Sequence, residues 1–485
     1  MSDSLKKIPV KVEHTPTPDK NNAETVSLYE AQKKIYPRSV KGIFNNWRIL
    51  FVLGTQLAFL GLPWLTWNGR QALFFDMVNR KFYIFGLTIW PQDFVYLAAL
   101  LMSCAFGLFV WTTIAGRLWC GYSCPQTVYT EVMLWIEQLV EGDRNKRIKL
   151  DKEPMSLRKA RLKLTKHGLM ILFCLWTGFS LVGYFTPIRD LVKAMPTFDY
   201  GPWESFWIFF YAGFTYLLAG FMREQVCKYM CPYARFQSVM FDADTLIISY
   251  DEARGEPRGS CKKGVDFKQQ GLGSCVNCGI CVQVCPVGID IRNGLQYECI
   301  GCAACIDACD EVMDKVGYPR GLIRYTTENA LEGKYPEKDI VKHLRRPRVI
   351  MYSVVLLLVL GAALGSLAMR KPFKVDILRD RASLVKETDA GLLENSYTIK
   401  IINTTEHDHT FRITVDGMPD MKLESDSKQI QVKATDTESF VVRVQADPQY
   451  ATKGSHEIHF KVETISSPAD STVLQVEEKS SFIGE

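Results

Sequence analysis

The last 176 residues of this 485-residue chain contain no cysteine, although fifteen lie between Cys104 and Cys309. A tail without thiols needs neither disulfides nor thiolate-bound metal, so its stability is independent of the redox state of its compartment. Histidine is also sparse, at seven residues. His167 and His343 fall just outside the ends of apolar runs and none lies deep within one, which argues against a bis-histidine haem inside a bilayer. Residues 1–46 lack the apolar stretch of a cleaved signal peptide. They hold eight basic residues (Lys6, Lys7, Lys11, Lys20, Lys33, Lys34, Arg38 and Lys41) and read as disordered through about Glu24. The net charge of +5 is small for this length. Its basic clusters stand beside apolar runs, where they set membrane topology, and nucleic-acid binding has little support.

What the sequence has is five apolar runs long enough to cross a bilayer, which takes roughly 17–25 residues: 49–66, 94–115, 168–185, 203–222 and 349–369. Any one could be a buried core helix. Five together, four edged by Trp, Tyr or basic residues, imply a lipid bilayer. Residues 142–166 carry ten basic against three acidic side chains, and Lys342, Arg345, Arg346 and Arg348 precede the fifth run. With the basic arm, these counts place the N-terminus inside and the C-terminus outside. Residues 67–93 fit less well. They should lie outside yet contain Arg70, Arg80 and Lys81. Segments 72–77 and 81–87, joined through Val78-Asn79-Arg80, read as a hairpin on the membrane face with its aromatic side chains toward the headgroups.

The expected fold is thus a multidomain membrane protein. It has a cytoplasmic arm (1–46), a four-helix membrane domain (47–241), a cytoplasmic ferredoxin domain (242–348), a fifth transmembrane helix (349–369) and a periplasmic domain (370–485). In the last, alternating runs 397–402, 410–415, 429–432, 440–444, 457–462 and 472–476 have the rhythm of an immunoglobulin-like β-sandwich.

The cysteines carry the chemistry. Cys275-Val-Asn-Cys278-Gly-Ile-Cys281-Val-Gln-Val-Cys285-Pro286 and Cys299-Ile-Gly-Cys302-Ala-Ala-Cys305-Ile-Asp-Ala-Cys309 both follow C-x2-C-x2-C-x3-C. This is the bacterial ferredoxin spacing, in which the fourth cysteine of each run serves the other cluster. Cys275, Cys278, Cys281 and Cys309 are therefore expected to hold one [4Fe–4S] cluster, and Cys299, Cys302, Cys305 and Cys285 the second. Four-cysteine zinc sites also use C-x2-C pairs, but as two separated pairs rather than tandem runs of four. Two such clusters imply one-electron transfer. Cys261 lies outside both runs and receives no role.

A second motif occurs twice, as Cys120-Gly-Tyr-Ser-Cys124-Pro125 and Cys227-Lys-Tyr-Met-Cys231-Pro232, just past the inner ends of the second and fourth spans. Proline favours the first helical position, so Cys124 and Cys231 should sit at helix N-termini, ahead of amphipathic stretches 126–140 and 233–241. The helix dipole and nearby Arg117, Arg223, Lys228 or Arg235 are expected to favour thiolate there. Thiolates suit Cu(I), so Cys120, Cys124, Cys227 and Cys231 form a candidate catalytic copper site. A single pair would read as incidental packing; the repetition argues for function. Met222 and Met230 could add thioethers but read as packing, as do Cys104 and Cys174 within spans.

These motifs follow Gly69-Arg70-Gln71-Ala72, Phe82-Tyr83-Ile84-Phe85-Gly86-Leu87 and Trp90-Pro91-Gln92-Asp93, and include Trp119-Cys120-Gly121. From about residue 35 onward the chain resembles the FixG/CcoG family, accessory proteins for assembly of cbb3-type cytochrome c oxidase in bacteria. The resemblance implies an inner-membrane protein that reduces Cu(II) to Cu(I) with the paired membrane cysteines taking part. Its partners would be copper ions, the oxidase or its copper-delivery factors, and an electron donor that the sequence does not identify. The alternatives are a quinol-linked membrane ferredoxin of a respiratory chain, against which the β-sandwich and hairpin argue, and a redox-sensing scaffold for the oxidase.

Overall fold

The structure is a computed structural model that describes residues 34–259, 271–371, 373–380, 385–388, 391–425, 429–465 and 474–484. Cys261 falls outside the described residues. Among them, five helices are long and apolar enough to cross a membrane. The first, Ile43–Gly61, continues through a 3-10 turn to Trp64; the second is Phe94–Ala115 and the third Leu157–Val182. The fourth runs from Pro202 to Thr215 and on as a π-helix to Met222, and the fifth is Pro347–Ala368. Leu57, Leu100, Leu101, Phe209, Leu357 and Leu358 are exposed on these helices, a surface suited to lipid rather than water.

The first and third helices begin earlier than their apolar runs. The third gains residues 157–167, where Arg158, Lys159, Arg161, Lys163 and Lys166 stand among leucines and an alanine that are also good helix formers, and Ser156 caps it by accepting the Lys159 N–H at 3.2 Å. The first starts where a carboxylate from another part of the chain caps it. Asp307 accepts the N–H groups of Phe44 at 3.3 Å and Asn45 at 2.7 Å. Gly42 leaves the room, because a β-carbon there would collide with the Asp307 carboxyl.

Both Cys-Pro pairs start helices, Pro125–Glu141 and Pro232–Met240, with proline in the first turn and Cys124 or Cys231 at the N-cap. A buried ion network ties the first of these helices to its neighbours. Glu137 meets Arg147, Arg223 at 2.6 Å and Lys166 at 3.5 Å.

The cysteine-rich block is framed by antiparallel strands Ile247–Tyr250 and Ile323–Thr326 and holds helices Ile280–Val284 and Ala304–Val316. In both cysteine runs the residues flanking the second cysteine take positive φ: Asn277 (51°) and Gly279 (67°) in one, Gly301 (69°) and Ala303 (59°) in the other. Two left-handed residues around one cysteine make the tight turn that lets three thiols face a common centre.

After the fifth helix, two sheets pack into a β-sandwich. One runs in the order Lys422–Ser425, Thr437–Ala446, Leu393–Asn403, Phe373–Arg379, with Lys386–Glu387 also pairing Leu393–Asn403. The other runs Ile430–Val432, His409–Asp416, Gly454–Ile465, Gln475–Gly484. Tyr397, Ile399, Phe411, Val442, Phe460 and Phe482 fill the space between them.

The segment after the first span is a sheet of three strands, Leu73–Asp76, Lys81–Ile84 and Leu87–Ile89, rather than a two-stranded hairpin. Its aromatic Phe75 faces protein, packing on Tyr184 and Phe185 at the end of the third span. Two of the three basic side chains that fitted the expected topology poorly have partners. Arg70 pairs with Glu406 at 2.7 Å and Lys81 with Asp436 at 3.1 Å, both on the β-sandwich. Asp93 returns the contact by binding Arg370 and Lys374, each at 2.6 Å.

Candidate functional site

Two cavities open inside the ferredoxin block. One is lined by Cys285, Cys299, Cys302 and Cys305, and by Cys281, with Ile248, Val287, Ile289 and Ile300. The second is lined by Cys275, Cys278, Cys281 and Cys309 with Tyr250, Val312 and Leu322. Each thus gathers three cysteines of one run and the fourth of the other. Cys278 is exposed, whereas Cys275, Cys281 and Cys302 are buried. Among the described residues, no three His, Cys, Asp or Glu side chains come close enough to hold a single metal ion. Four thiols spread around an apolar void suit a polynuclear group better than one zinc ion. Burial pushes the thiols of Cys299 and Cys309 up to about 12 and that of Cys281 up to about 11, so iron binding displaces their protons.

The membrane pairs abut this block. Cys120 packs into the same apolar cluster as Cys285, Cys299, Cys302 and Cys305. The contact is backbone on backbone, because a β-carbon on Gly121 would lie 2.9 Å from the N and Cα atoms of Cys302 and from the carbonyl carbon of Gly301. Only glycine allows that approach without a shift. Around it, Tyr325 donates to the Gly301 carbonyl at 2.7 Å and Thr127 to the Cys120 carbonyl at 2.5 Å. Cys120 Sγ lies 3.5 Å from Gln237 Oε1. The second pair also reaches the block: Cys227 lines a cavity together with Pro286, Val287 and Ile300.

The two pairs lie near one another, since Cys124, Cys227 and Cys231 each raise the proton affinity of Cys120. No three of them form a closed ligand set. The expectation of thiolates fails for three of the four. Burial pushes Cys120 up to about 12 and Cys227 up to about 11, and it raises Cys124. Arg117 pulls Cys120 and Cys227 down but loses to desolvation, and Arg223 is engaged by Glu137. Burial thus favours the protonated thiol at Cys120, Cys124 and Cys227.

Other candidates fall away from the site. Cys174 is buried in the apolar cluster of Met133, Met170, Ala212 and Ala219, and Cys104 is exposed on the second span. His167 bonds Tyr216 at 2.7 Å and His343 stacks on Tyr335. Three residues at the site had escaped sequence reasoning. Gly121 and Asp307 carried no signal beyond their place inside cysteine motifs, and Glu224, three residues before Cys227, carried none.

The fold and site define a membrane-embedded iron–sulfur electron-transfer protein with an immunoglobulin-like C-terminal domain. Family models agree: a 4Fe-4S dicluster domain matches residues 222–328, a 4Fe-4S binding domain residues 97–148, and the IG-like fold at the C-terminal of FixG residues 363–485. The chain is 38% identical over 440 residues to the nitrogen fixation protein FixG of Rhizobium meliloti, covering 82% of this chain and 83% of that one. It is 39% identical over 412 residues to protein RdxB of Cereibacter sphaeroides, covering 83% and 86%. A crystal structure of a FixG-related protein from Vibrio parahaemolyticus aligns over 24% of this chain and 99% of its own, at 27% identity and a TM-score of 0.20. The chain belongs to the FixG family.

Proposed function

We propose that this protein reduces Cu(II) to Cu(I) at Cys120, Cys124, Cys227 and Cys231, and that the product serves assembly of a cbb3-type oxidase. The observation that carries the reading is the seating of Cys120-Gly121 on the backbone of Gly301-Cys302. Cys275, Cys278, Cys281 and Cys309 would hold one [4Fe–4S] cluster and Cys285, Cys299, Cys302 and Cys305 the other; bound there, these groups supply electrons one at a time. Reduction of Cu(II) needs one electron and no proton. Buried thiols give up their protons as copper binds, and soft sulfur favours the Cu(I) product. The Lys/Arg distribution supports an inner-membrane orientation with the arm and ferredoxin block cytoplasmic and the β-sandwich periplasmic.

Purified full-length protein, its iron–sulfur centres first reduced with dithionite and the excess removed, is expected to reduce Cu(II). The quadruple variant C120S/C124S/C227S/C231S should keep about eight irons per chain and lose the activity. Undiminished reduction by that variant would refute the assignment. Rapid reduction by quinol, with no copper phenotype on deletion, would move the protein to the respiratory ferredoxins.

A further inference from the structure

The cavity between Cys227 and the ferredoxin block is lined by Pro286, Val287 and Ile300 of that block and by Gln126 and Glu224 of the membrane domain. Arg48 and Arg223 also reach it, but neither is free to neutralise a ligand. Arg48 is bound to Glu131 and Arg223 to Glu137, each at 2.6 Å. Glu131 is engaged by the same contact. Glu224 makes no ion pair among the described residues, so the remaining carboxylate of this cavity is available to an incoming cation. Gln126 donates its amide N–H groups to the carbonyls of Leu218 at 2.9 Å and Arg223 at 3.1 Å. What it has left to offer a ligand is its Oε1 oxygen. The cavity therefore sets oxygen donors beside the sulfur of Cys227.

Copper changes its preference with its charge. Cu(II) favours nitrogen and oxygen ligands, and Cu(I) is held by soft thiolates. We propose that Glu224 is the oxygen ligand that admits Cu(II) to this cavity and lets go once the metal is Cu(I), leaving copper on the sulfur of Cys227. The inference rests on the copper reduction proposed above and assigns a residue outside the cysteine motifs to it. On coordination the Cys227 thiol proton leaves to solvent. When Cu(II) gains the single electron that the iron–sulfur centres supply, the Glu224–copper bond breaks and the sulfur–copper bond stays. No group of the chain is oxidised. Arg223, whose φ of 44° breaks the fourth helix between two π-helical segments, fixes where Glu224 and Cys227 stand because Glu137 holds its guanidinium.

The test uses full-length protein in detergent, with E224Q and the conservative E224D. Cu(II) binding is followed by the EPR signal of bound copper in oxidised protein, and Cu(I) affinity by competition with a chromogenic Cu(I) chelator. E224Q should weaken Cu(II) binding about tenfold or more, with Cu(I) affinity and iron content unchanged, and E224D should restore most of the loss. Equal Cu(II) affinity in E224Q and the parent overturns the inference, as does an equal loss of both oxidation states. A parent protein that binds neither state overturns the copper reading itself, and the inference with it.

Discussion

Gly121 offers a direct perturbation of the junction between the membrane cysteines and the ferredoxin block. A β-carbon there would stand 2.9 Å from three backbone atoms of Gly301 and Cys302, whereas ordinary contact begins at 3.4 Å. Alanine therefore forces one backbone to retreat by about half an ångström, and neither partner is the end of a flexible side chain. Overpacking of this kind costs about 1–3 kcal/mol, or a shift of about 5- to 150-fold in the equilibrium between seated and displaced arrangements. Valine should cost more. The control is G107A, because Gly107 in the second span has nothing within 4 Å of its would-be β-carbon. Iron content, thermal unfolding and Cu(II) reduction are measured on all three variants. G121A and G121V should lose reduction in that order while retaining iron, and G107A should match the parent. A G121V protein with full iron, parental unfolding temperature and parental reduction rate would show that this contact has no part in function.

Replacing Asp93, 3% exposed between Arg370 and Lys374, with Asn leaves a buried guanidinium without its counter-ion. The cost should be about 3–5 kcal/mol, read as earlier proteolytic release of the β-sandwich on heating; R70A, which breaks the more exposed pair with Glu406, should cost about 1 kcal/mol or less. Burial alone would raise the Glu137 carboxyl, but Arg223, Arg147 and Lys166 more than offset it and hold it down at about 2. A carboxylate lowered on folding stabilises above its unfolded value and loses that contribution as pH falls through the folded one. Stability should therefore drop between about pH 4.5 and 2, and in urea titrations E137Q should be less stable at neutral pH and flatter across that window. Finally, the crossed ligand sets predict that C285S alters the same EPR signal as C299S, and C309S the same as C275S; effects that group by run instead would sink the assignment.

The parts of this fold that were legible are those whose geometry is local. Proline after Cys124 and Cys231 marks a helix start because its ring fixes φ and its missing N–H is not needed there. Alternation along 397–402 and 440–444 marks sandwich strands because successive side chains face opposite sides. Phe373–Arg379, Lys386–Glu387 and Lys422–Ser425 are strands beyond the runs singled out in the sequence, and the first also alternates Phe373, Val375 and Ile377. The third span was cut short at its basic end because hydropathy does not register Lys and Arg as helix formers.

The site's proton affinities were misread for a different reason. Counting Arg117 and Arg223 near the thiols is a sequence operation, but desolvation of Cys120 is set by the ferredoxin block closing over it. The same holds for Arg70 and Lys81. As isolated charges they run against the positive-inside expectation, and only the packed β-sandwich supplies their partners Glu406 and Asp436.

The redox block is fixed to the membrane domain from several directions at once. Asp307, between Cys305 and Cys309 in sequence, caps the first span. Arg38 N–H donates to the Gln283 carbonyl and Leu246 N–H to the Ile114 carbonyl, and Gly121 seats directly on Cys302. Contacts through three separate stretches of membrane-domain backbone leave no single hinge about which the block could swing. A protein that delivers electrons by carrying its redox centre to a distant acceptor needs such a hinge; one whose acceptor comes to it does not. Under the copper reduction proposed above, the moving component would be the small cation. That is why the chemistry of the cavity wall at Glu224, Gln126 and Cys227, rather than any flexing of the fold, should decide which metal ion, in which oxidation state, reaches the site.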